Sequence, residues 1–334
     1  MTFSLVFALT NCLFFLALQS ALALPARQSA SASKTSTVTK ADSSSKTAGN
    51  QNVTLKFRND RSVGKIYRLD KNWDIEAWPL PLKYVSEARG QVQVPAGAVL
   101  GFRPNSLLAE NPEFLSGPLA AQLELLEANN IDMNDKLAAA IGGCTRLKRL
   151  NVNGTEFDDK GLAKWNRLIN VRKLLIGETL LTGRTLSAVA GMKHLILLDL
   201  KGDQLQHGAL RAIANLSELR DLFLDHSGIC DSDLVYLENL QSIRYLTIVR
   251  NDGITDGALK TLATLKNLNT LDLEDTKVTV KGLAATKLPS LAAMATPPSC
   301  RTARDLAALH KAFPKAYLRQ PNRAAQEQME FFNK

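Results

Sequence analysis

Apolar residues recur with a period of 24 residues through the middle of the chain. The first apolar position of each unit, slot 1, falls at Leu123, Leu147, Val171, Leu195, Leu219, Ile243 and, after one extra residue, Leu268. Apolar residues return at slots 4 and 6, which predicts a short strand with one apolar face. They then recur at intervals of three near slots 16, 19 and 22, which predicts one or two helical turns. A fixed period in the twenties predicts a solenoid, because such a unit cannot bury its apolar face alone.

A short side chain that carries oxygen stands at slot 9 of every unit from Leu147 onward. These residues are Thr155, Thr179, Asp203, Ser227, Asn251 and Thr276. They follow the predicted strand, where such side chains can bond the backbone of the turn. We therefore interpret them as structural and assign them no ligand. Asp159, Asp231 and Asp256 are the predicted N-caps of the helical turns that follow.

These units resemble the leucine-rich repeat family. The stretches that carry the resemblance are LKRLNVNGTEFDDKGL, LILLDLKGDQLQHGAL and IRYLTIVRNDGITDGALKTLATLKN. This form of the repeat is similar to units in bacterial envelope and secreted proteins and in some ubiquitin-ligase adaptors. The resemblance implies an α/β fold: a right-handed curved solenoid with short parallel strands on its concave face and short helices on its convex face. The same comparison implies terminal units that depart from the pattern, as the unit from Leu123 does.

The segments around the repeats predict an exported protein. Residues 1–23 are apolar, carry no Lys, Arg, Asp or Glu and end in Ala21-Leu22-Ala23, which indicates a secretory signal peptide. An uncleaved membrane anchor and lipid attachment at Cys12 are the alternatives. Residues 24–51, rich in Ser, Thr and Lys, predict a disordered tether. We therefore expect a secreted, periplasmic or cell-surface location, with membrane association only if the first segment is retained.

Three further regions complete the predicted organisation. Residues 52–98 predict a small β-rich cap over the first unit, in which we interpret Trp73 and Trp78 as core residues; a sugar- or partner-binding pair is the alternative. The repeats occupy residues 99–296. Residues 297–334 predict a capping helix, a short strand and a tail.

Composition argues against nucleic acid and against catalysis. The net charge of +9 is not spread over the repeats, because residues 123–296 hold 21 Lys and Arg against 21 Asp and Glu. The basic excess lies in the flanking segments, which indicates weak adhesion to anionic polymers and no groove recognition. Nucleotide-binding, nucleophile and zinc-protease motifs are missing from the sequence. We predict no enzyme and no cofactor.

The spacing of the cysteine and histidine residues along the sequence predicts neither a disulfide framework nor a metal site. A chain cleaved after Ala23 keeps Cys144, Cys230 and Cys300, an odd number that does not support a disulfide framework. The four histidines fall in different slots of different units, so we interpret them as scattered surface residues and predict no metal site. They are His194, His207, His226 and His310.

The predicted functional surface is the outward face of the strands, at slots 3, 5 and 7. Apolar residues form a stripe there in the middle units: Leu175, Leu197, Phe223, Tyr245 and Val249. Basic residues lie towards one end and acidic residues towards the other: Arg149, Lys173, Asp199, Asp221 and Asp272. Exposed apolar patches with a polar rim commonly mark interaction sites. The alternatives are an ordinary surface or a cap that folds over part of this face.

The predicted function is non-catalytic recognition of a protein or an envelope polymer through that concave face. A ubiquitin-ligase substrate adaptor or effector is one alternative, although the helical adaptor-binding box expected from that resemblance is absent before the repeats. A structural envelope spacer is the other.

Overall fold

A computed structural model describes residues 51–320. The signal peptide, almost all of the tether and the C-terminal tail predicted from the sequence lie outside these residues.

Twelve strands form one sheet, and ten of them stack in chain order. These ten are β5 (Val99–Pro104), β6 (Leu123–Glu127), β7 (Arg149–Asn151), β8 (Lys173–Leu175), β9 (Leu197–Asp199), β10 (Asp221–Phe223), β11 (Tyr245–Thr247), β12 (Thr270–Asp272), β13 (Ala293–Ala295) and β14 (Tyr317–Arg319). From β5 to β14 every neighbouring pair is parallel. Slot 4 pairs with slot 4 along the stack, so Leu198 stands opposite both Leu174 and Leu222.

Short helical segments connect consecutive strands. The α-helical ones are Leu107–Glu110, Gly117–Ala120, Asp135–Gly142, Asp159–Leu162, Asp231–Leu234, Leu259–Leu262, Val280–Ala285 and Ala303–Ala312. The 3-10 segments are Pro112–Leu115, Ala163–Trp165, Leu186–Gly191, Ala209–Ile213, Val235–Leu237 and Asp256–Ala258. Parallel strands joined by helical turns confirm the α/β solenoid.

One apolar core runs through the coils. Val152, Ile176 and Leu200, at slot 6 of three successive units, are each fully buried. Trp165 joins neighbouring coils as well, because its indole N–H donates to the Ala138 carbonyl at 2.9 Å while its ring stacks on Phe157 at 4.2 Å between centroids. Each unit therefore buries its apolar face against the next, as the period predicted.

The N-terminal region joins the stack through antiparallel strands. Its strands are β1 (Asn52–Lys56), β2 (Gly64–Leu69), β3 (Lys83–Glu87) and β4 (Gln91–Pro95). β1 and β4 form a separate two-stranded sheet, whereas β2 pairs with β3 on one side and with β5 on the other. Because β5 also pairs with β6, the first coil has no open strand edge on this side.

At the other end, residues 297–320 add a last coil. The helix Ala303–Ala312 begins with a capping box between Thr302 and Asp305, in which each side chain bonds the other residue's backbone N–H. β14 then pairs in parallel with β13.

The slot 9 column bonds the turns as predicted. The Thr155, Thr179 and Thr276 hydroxyls donate to carbonyls three residues earlier, at 2.8 to 2.9 Å. Asn251 donates to the carbonyls of Leu224 and Ile248, in two different coils, at 2.8 and 2.9 Å.

The N-cap predictions were wrong by one residue. The caps are Asp158, Cys230 and Thr255, which precede the predicted residues. The carboxylates of Asp159, Asp231 and Asp256 instead accept hydrogen bonds from a threonine that precedes the helical turn of the next coil. The pairs, which we call the Asp–Thr ladder, are Asp159 with Thr182, Asp231 with Thr255 and Asp256 with Thr279.

Slot 8 adopts a left-handed backbone in all seven units. Its φ angles lie between 50° and 76°, at Asn130, Gly154, Glu178, Gly202, His226, Arg250 and Asp275. This conformation turns the chain out of each strand, and glycine takes it at least cost. In the sequence, Gly154 and Gly202 are the residues that indicate this left-handed backbone. The other five units carry larger residues at slot 8, so the repeat as a whole did not predict it.

Candidate partner-binding surface

The strand register brings the slot 3 and slot 5 side chains into two continuous rows. Lys173, Leu197, Asp221 and Tyr245 stand opposite one another on successive strands. Leu175, Asp199 and Phe223 form the adjacent row. The structure therefore places most of the predicted site residues side by side on one face of the sheet.

The apolar stripe is less exposed than the sequence pattern suggested. Leu197 and Val249 are buried, with only 8% and 7% of their surfaces accessible, whereas Leu175, Phe223 and Tyr245 are half-buried. Neighbouring strands lie on both sides of each outward residue, so their side chains cover the smaller apolar groups. The Phe223 and Tyr245 rings contact each other, with centroids 5.4 Å apart and planes tilted by 44°. These two rings are the main apolar feature left for a partner.

The basic end of the face is largely neutralised. The Arg149 guanidinium pairs with Glu127, which also accepts a hydrogen bond from Asn151 at 2.9 Å. Lys173 is half-buried, and burial, followed by the nearby charge of Arg149, lowers its pKa. Neither residue presents a free, fully solvated charge.

The acidic end carries several carboxylates held by the backbone. Asp199 accepts hydrogen bonds from Asn153 at 2.7 Å and from the Lys201 N–H at 3.1 Å. Asp225 accepts from the Val249 N–H and the Thr247 hydroxyl, both at 2.9 Å.

Asp272 accepts from the Glu274 N–H and pairs with Arg319 of β14, both at 3.1 Å. Arg319 also reaches Glu274 at 3.3 Å. Arg319 lies outside the repeated units, so the repeat pattern did not predict its place on this face.

Burial raises the pKa values of these acids. The pKa of Asp221 rises to about 6, and the pKa values of Asp225 and Glu274 rise to about 7. Burial also raises the pKa values of Asp199 and Asp272. Desolvation disfavours the charged form of a carboxylate, and the basic groups nearby do not offset it fully. This end of the face therefore favours a cation.

A segment of the N-terminal region folds across the other end. We call residues 70–82, between β2 and β3, the arm. Trp73 and Ile75 of the arm are buried in one apolar cluster with Leu125 of the first coil and Ile196 three coils further along. The alternative that the cap covers part of the face is thus correct. Trp73 is a core residue as predicted, but the same prediction was wrong for Trp78, which is 62% exposed.

Polar contacts fix the arm at both ends. The Trp73 indole N–H donates to Glu124 at 3.1 Å, and Glu124 also pairs with Arg146 and Lys148 at 3.0 and 2.8 Å. Glu76 pairs with Arg220 at 3.0 Å, just before β10. A shallow groove of about 410 Å³ lies beside Glu124, and His194 and Glu218 also line it. Its acids already pair with basic partners, so we assign the groove no ligand.

The part of the face beyond the arm is the candidate site. We call it the distal patch and define it by Asp221, Phe223, Asp225, Tyr245, Asp272 and Glu274. An aromatic pair with carboxylates around it suits a partner side chain that is both apolar and cationic.

Within residues 51–320, no helix is both long enough and apolar enough to cross a membrane.

Comparison with known proteins finds likeness in structure only. Neither a protein-family model nor a curated protein matches the sequence. An internalin (inlF) from Listeria monocytogenes is 23% identical, with a TM-score of 0.43 over 55% of this chain and 50% of its own. An internalin C2 from the same organism is 24% identical, with a TM-score of 0.38 over 55% of this chain and 84% of its own.

A leucine-rich repeat protein from Leptospira interrogans is 16% identical, with a TM-score of 0.43 over 59% of this chain and 60% of its own. This chain thus spans about half the length of the inlF internalin. Its own 24-residue period, slot-to-slot parallel strands and single core identify the fold as a leucine-rich repeat solenoid.

Proposed function

We propose that this chain is an exported, non-catalytic leucine-rich repeat protein that binds a protein partner through the distal patch. One observation carries the proposal: Phe223 and Tyr245 pack together on the outward face among desolvated carboxylates. Export rests on the signal peptide predicted for residues 1–23, and the absence of catalytic motifs supports a binding role.

The chemistry of the patch favours a basic protein segment over an anionic envelope polymer. Aromatic faces attract Lys and Arg as well as apolar side chains. Asp221 and Asp225 flank Phe223 along the chain. Asp272 lies on the next strand but one from it, and Glu274 follows that strand. A phosphate- or carboxylate-rich polymer would meet repulsion here, whereas a segment with one apolar anchor and one or two basic residues would satisfy both features.

The test uses the full chain and a panel of immobilised peptides. The peptides carry a Trp or Leu anchor with Lys and Arg, with neutral residues or with Glu, and their affinities are measured by surface plasmon resonance. We expect the basic peptides to bind best, and the Phe223→Ala/Tyr245→Ala variant to bind them at least about tenfold more weakly.

Val235→Ala is the matched control. Val235 is 49% exposed and opens a 3-10 segment, away from the strands. The distal patch would be ruled out as the binding site if peptides of every charge bound with equal affinity. It would also be ruled out if the control and the double variant lost equal affinity for the basic peptides. Self-association with no peptide binding would favour the structural spacer.

A further inference from the structure

The Asp–Thr ladder does not run through every step of the stack. At three steps an aspartate of one coil bonds a threonine that precedes the next helical turn, and at the step between the coils from Val171 and Leu195 the two positions hold Gly183 and Gln206. At the step between the coils from Leu195 and Leu219, His207 takes the place of the aspartate and Cys230 takes the place of the threonine. Cysteine is a poor N-cap compared with Asp or Thr, although Cys230 and Asp233 form a capping box at this helical turn.

A third substitution completes the group. The third residue of the helical turn is Gly161 or Gly282 in other coils, but Asp233 in this one. The Asp233 side chain is only 4% exposed, and it faces both His207 and Cys230. Three side chains that commonly bind metals therefore meet at one step of the solenoid, although His207 and Cys230 are 23 residues apart.

The spacing of the three atoms matches that of ligands around one metal ion. His207 Nδ1 lies 3.0 Å from Asp233 Oδ2 and 3.6 Å from Cys230 Sγ, and Cys230 Sγ lies 3.2 Å from Asp233 Oδ2. Tetrahedral zinc, with bonds of about 2.0 to 2.3 Å, separates its ligand atoms by roughly 3.3 to 3.6 Å. Shifts of a few tenths of an ångström would bring all three atoms into range.

We propose that His207, Cys230 and Asp233 bind a divalent transition metal of the zinc class. Imidazole nitrogen with thiolate sulfur selects such metals over magnesium and calcium, which prefer oxygen ligands. Binding releases the Cys230 thiol proton to solvent, and His207 coordinates through Nδ1 with its proton on Nε2. The fourth position faces outward, since the His207 side chain is 73% exposed, and it is left to water or to a partner's side chain.

The surrounding backbone holds the acid in place. The Gly208 N–H donates to Asp233 Oδ1 at 2.8 Å, and the Cys230 N–H donates to Oδ2 at 3.0 Å. The carboxylate is thus oriented before metal arrives, as supported ligands are in metal sites.

Cobalt provides the probe, because Co²⁺ occupies zinc sites and reports thiolate ligation by its absorption. The full, reduced chain is titrated with Co²⁺ and then with Zn²⁺. We expect one equivalent of Co²⁺ to give a sulfur-to-cobalt band and the visible bands of tetrahedral cobalt. Zn²⁺ should bleach both, and a large excess of Mg²⁺ should leave them unchanged.

Cys230→Ser and His207→Ala test the ligands. Serine is a preferred N-cap, so Cys230→Ser should keep the fold while it weakens Zn²⁺ binding by at least about 100-fold, the upper end of the cost of losing an outer-shell partner. A melting curve without metal checks the fold of each variant, and Zn²⁺ should raise the Tm of the unmodified chain but not that of these two variants.

His194→Ala is the matched control. His194 pairs with Glu218 at 2.8 Å, as His207 pairs with Asp233, but none of the described cysteines joins that pair. The proposal fails if cobalt gives no sulfur band, if Cys230→Ser binds Zn²⁺ as well as the unmodified chain, or if His194→Ala weakens binding equally. These readouts do not depend on the distal patch.

Discussion

At the residue scale, the exception in the slot 9 column is Asp203. The other members donate a hydrogen bond to a carbonyl of the turn, but an ionised carboxylate cannot donate. Asp203 Oδ1 accepts from the Thr179 N–H at 2.9 Å and lies 2.9 Å from the Thr179 hydroxyl, while its buried Oδ2 has no hydrogen-bond partner. Burial raises the pKa of Asp203 to about 7. An unpaired buried acceptor of this kind costs about 1–3 kcal/mol.

Asp203→Asn should stabilise the chain at alkaline pH. An unfolded Asp titrates near pH 4, so between about pH 4 and 7 the folded state holds a proton that the unfolded state lacks. The free energy of unfolding therefore falls as pH rises through this window, and the asparagine variant loses that dependence. We expect the variant to gain about 1–2 kcal/mol at pH 8 and little at pH 4, measured by urea unfolding.

Asn251→Asp is the reciprocal control, because Asn251 fills the same slot and donates to two carbonyls. It should lose stability at pH 8. Equal stability of Asp203→Asn and the unmodified chain at both pH values would contradict this account.

At the element scale, the arm shows where sequence patterns stop being informative. The strands, the helical turns and the slot 9 bonds follow from repeated residues, each acting on near neighbours in sequence or on the adjacent coil. The arm has no repeat, and its contact between Glu76 and Arg220 joins residues 144 positions apart. Trp73 and Trp78 have the same chemistry in the sequence, and only the fold distinguishes the buried ring from the exposed one.

Trp73→Ala should release the arm without unfolding the solenoid. Trp73 is the larger of the two buried apolar residues of the arm and donates the bond to Glu124, so truncation leaves a cavity and removes that bond. We expect trypsin to cleave at Lys71 at least about tenfold faster, since local opening governs proteolysis. Circular dichroism should show the strands and helices retained.

Trp78→Ala is the control, because this ring is exposed and its loss should leave the cleavage rate unchanged. Equal acceleration in both variants, or in neither, would show that the buried indole does not hold the arm.

At the scale of the whole molecule, basic residues lie at one end of the sheet and acidic residues at the other. Slots 3, 5 and 7 of the sequence already predicted this order. Arg149 and Lys173 lie on earlier strands, and the distal patch lies on later ones. The degree of burial was not predictable in the same way, because it depends on side chains from both flanking strands and on Arg319, which β14 brings back to Asp272. The sequence thus predicted which residues share the face, but not which remain accessible.

Binding of a basic peptide to the distal patch should strengthen with pH. Asp221, with a pKa of about 6, and Asp225 and Glu274, with pKa values of about 7, lose protons between pH 5.5 and 8. Each lost proton adds a negative charge opposite the cation, so affinity should rise several-fold over this range. Calorimetry in buffers of different ionisation enthalpy should show proton release on binding at pH 6.5.

A neutral aromatic peptide is the comparison, and its affinity should stay nearly constant over the same range. A basic peptide whose affinity is flat or falls with pH would contradict the acidic character of the patch.

The coil from Ile243 contains 25 residues, whereas each of the five coils before it contains 24. The additional residue sits between Asn251 and Ile254, yet Leu246 still pairs with Leu222 and Leu271. Pairing between the strands sets the spacing of the coils. The turn after each strand accommodates a change in chain length. Gly253 marks the limit, because a Cβ there would approach the Cys230 Cβ to 2.7 Å. The turns after the strands are therefore the places where this scaffold can accept grafted loops. Such loops would extend its recognition surface without changing the spacing between its strands.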